Sequence, residues 1–141
     1  MANTLIKSKK HIIIICPLKD DITSEQYKKW INALSISNGN HLVSPHYVID
    51  TAGTVLELID PDYLGDATAI PDIDKNAISI VKIGKEPTAI QGHRLGDLLR
   101  DLEKRYPDIP CGKFWEEYKE YAKGLQCSGI FEKDVFKQLE V

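Results

Sequence analysis

Three features of the chain predict an α/β (α+β) domain, a mixed central β-sheet flanked by helices. The run HIIIICP at residues 11–17 is continuous, apolar and β-branched, as expected of a strand buried on both faces. The stretch LVSPHYVIDTAGTVLEL at residues 42–58 alternates, turns at Ala52-Gly53 and alternates again. A long one-sided helical pattern opens at Pro87-Thr88 and closes at Pro107.

Taken in order, the first strand is followed by TSEQYKKWINALSIS. Here Thr23 stands three residues before Gln26, a capping box, and Tyr27, Trp30, Ile31 and Leu34 form an apolar stripe. SNGN at residues 37–40 ends that helix with turn formers. HYVID and TVLELI then form a hairpin, with Gly53 supplying the tight turn. Residues 60–75 make a polar, proline-punctuated loop, long enough to suggest function. AISIVKI, residues 77–83, is another strand. The helix after it buries Leu95, Leu98, Leu99, Leu102 and Tyr106, while Gly92 and Gly96 allow a close neighbour. KFWEEYKEYAKGL and IFEKDVFKQLE complete the order β-α-β-β-β-α-α-α.

Composition narrows the function classes. With 141 residues, the chain divides into an N-terminal arm, 1–10, and a single domain, 11–141, with a helical C-terminal segment. A net charge of -3 gives no pull toward nucleic acid or an anionic membrane. Lys7, Lys9 and Lys10 read as a solvated arm. The apolar run after them is too short for a signal-peptide core, and no segment reaches the length of a membrane span, so the expected location is the cytoplasm. Cys16, Cys111 and Cys127 lack a C-x-x-C pair and are expected to be three reduced thiols, with Cys16 buried in a strand.

The segment V-S-x-H-Y-x-I-D-x-x-G-T at residues 43–54, in this element order, resembles the N-acetylmuramoyl-L-alanine amidase type 2 family. That family includes phage lysozyme-amidases and the peptidoglycan recognition proteins. The likeness spans residues 12–106 in element order and is specific in residue detail at 43–58. It implies a zinc enzyme that cuts the amide between a glycan's lactyl group and its stem peptide, using three protein ligands and a zinc-bound water. Position by position, this chain departs from that pattern. The resemblance puts Ile15 at the first histidine ligand, Val81 at the assisting glutamate and Pro45 at the assisting tyrosine. No histidine follows His93, so the second ligand has no counterpart. Cys111 lies near the last ligand, but Lys113 follows it where the family lysine precedes. His46 matches a hairpin histidine that is not a ligand.

The resemblance therefore implies an amidase-like fold without catalytic residues, without zinc or another cofactor, from a phage or bacterium. If phage-encoded, it would act in the host cytoplasm or the virion. Its groove would hold a muropeptide-like small molecule or a protein partner. The groove borders would be residues 60–75 and 107–113, with Ser44 and His46 at the hairpin start, Asp66 and Thr68 on the loop, and Ile15 and Val81 making the floor apolar. Cys111 and Lys113 complete the candidate set.

Other readings compete. An active zinc amidase would need relocated ligands, yet His41, His46, His93 and Cys111 lack the i, i+4 or short-hairpin spacing that favours a metal site. The acidic loop lacks calcium-loop spacing. His11 and His41 read as solvated, and His46 as a histidine satisfied by its neighbours. Phe114, Trp115, Tyr118 and Tyr121 exceed one narrow stripe and suit a partner surface, which a phage structural or assembly subunit would use.

Overall fold

The structure, a computed structural model, describes residues 7–10, 12–37, 44–65, 74–107 and 109. Strands β1 (Ile12–Leu18), β2 (Tyr47–Ile49), β3 (Val55–Glu57) and β4 (Ala77–Ile83) form one sheet in the order β1-β4-β2-β3. β4 runs parallel to both β1 and β2, and β3 returns antiparallel to β2. Helices α1 (Ser24–Ser37) and α2 (Ala89–Arg105) complete the described elements. The expected C-terminal helices lie outside the described residues. No described helix is long and apolar enough to cross a membrane.

The mixed sheet has a chemical origin. Parallel strands are covered on both faces, so β1 and β4 carry buried apolar residues on both: Ile13, Ile14, Ile15 and Cys16 in one, Ile78, Ile80, Val81 and Ile83 in the other. β3 has one more exposed face and shows it in Glu57. The α1 capping box forms reciprocally: the Gln26 N–H donates to Thr23 Oγ1 (3.1 Å) and the Thr23 N–H to Gln26 Oε1 (2.9 Å). Thr88 caps α2, accepting from the Gln91 N–H at 3.2 Å, and Tyr106 closes it. Leu95, Leu99 and Leu102 are buried as the pattern requires, and Leu98 and Tyr106 pack partly against them.

Two expectations change. In α1, Tyr27 and Ile31 enter the core, but Trp30 is 50% exposed and rests only edge-on against the Tyr27 ring, centroids 5.6 Å apart. A helix that packs along a narrow line buries positions i and i+4, and Trp30 lies just off that line. In the arm, Lys7 and Lys9 are exposed, but Lys10 is only 5% exposed. The arm pairs with the loop after β3 through a bridge between Lys7 and Tyr63, and the Ser8 N–H donates to the Asp62 carbonyl at 3.0 Å.

Candidate functional site

Strand register tests the expected groove floor. Ile15 lies beside Ile80, and Cys16 beside Val81, which in turn lies beside Val48. Side chains in register share a face and successive ones alternate, so Ile15 and Val81 point to opposite faces of the sheet. They cannot both floor one groove, which corrects the expectation. A one-residue offset between linear motif and register is enough to cause this. Both are also nearly closed to solvent, Ile15 at 4% and Val81 at 7% exposure. The residue that shares Val81's face on β1 is Cys16, and it is disulfide-bonded. The expectation of reduced thiols therefore fails at Cys16, because spacing along a chain does not reveal which cysteines the fold brings together. Cys111 and Cys127 lie outside the described residues.

His46 is the best-defined polar side chain here. It is 0% exposed and immediately precedes β2, where its backbone still bonds to β4. Its N–H donates to the Ser79 carbonyl at 3.0 Å, and the Ser79 N–H donates back to the ring Nδ1 at 3.0 Å. The imidazole thus gives the Ser79 N–H an acceptor beside the last backbone bond between these strands, with the Ser79 hydroxyl 3.1 Å from the same nitrogen. A backbone N–H aimed at Nδ1 requires that nitrogen to be bare, so the ring proton sits on Nε2 and donates to the Tyr63 carbonyl at 2.7 Å. Gly65 lies against the ring: a Cβ there would come within 2.8 Å of Cε1. Burial lowers the His46 pKa to about 4. The Tyr63 hydrogen bond opposes the shift, nearby Lys10 adds to it, and Asp60 opposes it.

The Tyr63 carbonyl has a second donor. Lys10 Nζ reaches it at 2.8 Å and also donates to Ser8 Oγ at 2.6 Å. Burial lowers the Lys10 pKa to about 8, against the pull of Asp74 and Asp62. Around this core the loop is tied to the end of α2. Arg105 bridges Asp60 (2.6 Å) and Asp62 (3.1 Å), and the Tyr106 hydroxyl donates to Asp62 at 2.5 Å. The Asp62 carboxyl is held below its ordinary value, chiefly by that tyrosine.

Of the expected candidates, the structure brings Ser44 and His46 together at the hairpin start, but both are buried and neither forms an open rim. The Ser44 hydroxyl donates to the Pro45 carbonyl at 2.7 Å. Asp66, Thr68, Cys111 and Lys113 lie outside the described residues. Sequence reasoning placed Lys10 in a solvated arm and did not single out Asp50, Tyr63 or Ser79. Only Asp50 carried a signal, an aspartate just before a tight turn. Zinc does not fit the described donors: both His46 nitrogens are engaged, and among the described residues no three His, Cys, Asp or Glu side chains converge.

Neither a protein-family model nor a curated protein matches this sequence. Solved structures do. N-acetylmuramoyl-L-alanine amidase LysC from Clostridium intestinale superposes with a TM-score of 0.70 at 17% identity, over 99% of this chain and 92% of that one. The endolysin of Thermus scotoductus bacteriophage Ph2119 gives 0.65 at 14% identity, over 96% and 88%. Drosophila peptidoglycan recognition protein SD gives 0.60 at 18% identity, over 77% and 70%. The chain has the fold of the type 2 N-acetylmuramoyl-L-alanine amidases and the peptidoglycan recognition proteins.

Proposed function

We propose that this protein recognises a peptidoglycan fragment without hydrolysing it and without a metal cofactor. The observation that carries this reading is His46. It is the one described histidine at the hairpin start of an amidase-like fold, and both its nitrogens are spent on backbone partners. The residues at the positions of the first ligand and the assisting glutamate, Ile15 and Val81, offer neither lone pairs nor protons, and they face opposite sides of the sheet. Catalysis of amide hydrolysis needs a polarised water and a proton carrier, which these side chains cannot supply. Recognition needs neither. A fold shared with proteins described as peptidoglycan recognition proteins supports that class of ligand.

A second reading rests on the likeness to structures described as amidases and an endolysin: a zinc amidase whose ligands come from residues beyond those described. One experiment separates the two. Purified disaccharide-tripeptide muropeptides are titrated calorimetrically into the full chain, the mixture is followed by mass spectrometry, and metal content is measured on the same sample. Saturable binding with the muropeptide intact and no stoichiometric zinc is expected. Release of free stem peptide, or about one tightly held zinc per chain, overturns the proposal.

A further inference from the structure

Beside the Ser8–Asp62 backbone bond, the segment of residues 60–65 is held from two sides at one buried atom. His46 Nε2–H, from the sheet, and Lys10 Nζ, from the N-terminal arm, both donate to the Tyr63 carbonyl, at 2.7 and 2.8 Å. Gly65 lies over the imidazole with no room for a methyl group. The ring is therefore both the anchor of this segment and the surface on which it rests.

We propose that His46 is an acid-sensitive latch: protonation of its ring releases residues 60–65 from the sheet while the sheet stays folded. The incoming proton has one place to go, since Nε2 already carries one. On Nδ1 it would meet the Ser79 N–H, which points at that atom from 3.0 Å. The Ser79 hydroxyl, 3.1 Å from Nδ1, can accept the new proton, but the buried Ser79 N–H then loses its acceptor and faces a second donor, so the ring must turn or withdraw, with Gly65 in its path. The new charge would also sit beside the Lys10 ammonium, which is bound to the same carbonyl.

Every charged group around the ring enters this balance. Lys10, on the arm, opposes protonation, whereas Asp60, in the segment itself, favours it. Asp62 and Asp74 act through Lys10. Arg105 and Tyr106 at the end of α2 hold Asp60 and Asp62, and so give the segment a second tether on its outer side. The pairing of β4 with β1 is packed by Ile78, Ile80 and Val81, whose side chains do not titrate, so it is not tied to the ring.

The latch is independent of whether the groove binds anything, and it is tested on the full chain by NMR between pH 7 and pH 3.5. The His46 ring carbons and the amides of residues 60–65 and of β4 are followed together. The expected result is a His46 titration near pH 4 rather than near 6.5, in step with loss of the amide signals of residues 62–65, while β4 amides persist. His46→Gln, which keeps a side-chain donor and acceptor but does not titrate, should abolish the step. Lys10→Met, a second variant if the first does not fold, should move the step to higher pH, since it removes a neighbouring positive charge and one of the two donors. A His46 titration near 6.5, simultaneous loss of segment and β4 amides, or a step unchanged in either variant overturns the latch. Persistence of the step in His46→Gln would assign it to Asp60 and Asp62.

Discussion

The two ends of β2 solve the same problem with different chemistry. This strand is three residues long, and at each end a buried side chain supplies hydrogen-bond partners where its ladder stops. At the C-terminal end this is Asp50. Its Oδ2 accepts the Ser24 N–H at the start of α1 (2.9 Å), and its Oδ1 accepts the Ala52 and Thr54 N–H groups (3.0 Å each). Its own carbonyl takes the Gly53 N–H, so one aspartate fixes both the hairpin turn and the docking of α1. At the N-terminal end this is His46, with one acceptor and one donor. Asp50 receives only N–H groups, which suits an acceptor-only carboxylate; His46 depends on a single tautomer. The aspartate end thus gathers three N–H groups on one carboxylate, and the histidine end holds only while the ring is neutral.

The largest effect should come from the aspartate. Asp50→Ala strands three N–H groups at once and is expected to cost about 3–5 kcal/mol in denaturant unfolding. Asp50→Asn keeps part of the acceptor set and should cost clearly less. A cost below that of His46→Ala would reverse the ranking of the two ends.

Acid acting on the histidine end comes next. The His46 pKa lies at about 4 in the folded chain and near 6.5 when unfolded, so between these values the unfolded state binds more protons. The stability that the neutral ring contributes is complete above pH 6.5. It is lost as pH falls toward 4, by about 3 kcal/mol from this group. Unfolding midpoints at pH 7, 5.5 and 4, compared between the wild type and His46→Gln, would show the slope and its removal.

The smallest effect is expected at the outer tether. Arg105 and its partners Asp60 and Asp62 are all substantially exposed, so Arg105→Ala should cost less than about 1 kcal/mol, and less still in high salt. A larger loss would mean that the histidine end is held from the surface rather than from the sheet.

Much of the scaffold was legible from residue order because its signals are local. The Thr23–Gln26 capping box, the Thr88 cap, the Gly53 turn at φ 85° and the apolar runs of β1 and β4 each specify their element within a few residues. The site was less legible. His46 stood out as a histidine with satisfied neighbours among its possible roles, but its partners Ser79, Tyr63 and Lys10 come from a strand, a loop and an arm that only folding brings together. Ile15 and Val81 looked like one apolar floor because a linear motif does not carry strand register.

By itself, then, the sequence determined the described elements up to Arg105, their order and the absence of zinc-binding side chains at Ile15 and Val81, since those follow from residue type and short-range periodicity. The tertiary structure decided the rest. Pairing of β1 with β4 one residue away from the motif's alignment set which face each side chain takes. The packing of an arm over a loop buried Lys10. The end of a three-residue strand left Ser79 an N–H to donate, which a neutral imidazole accepts.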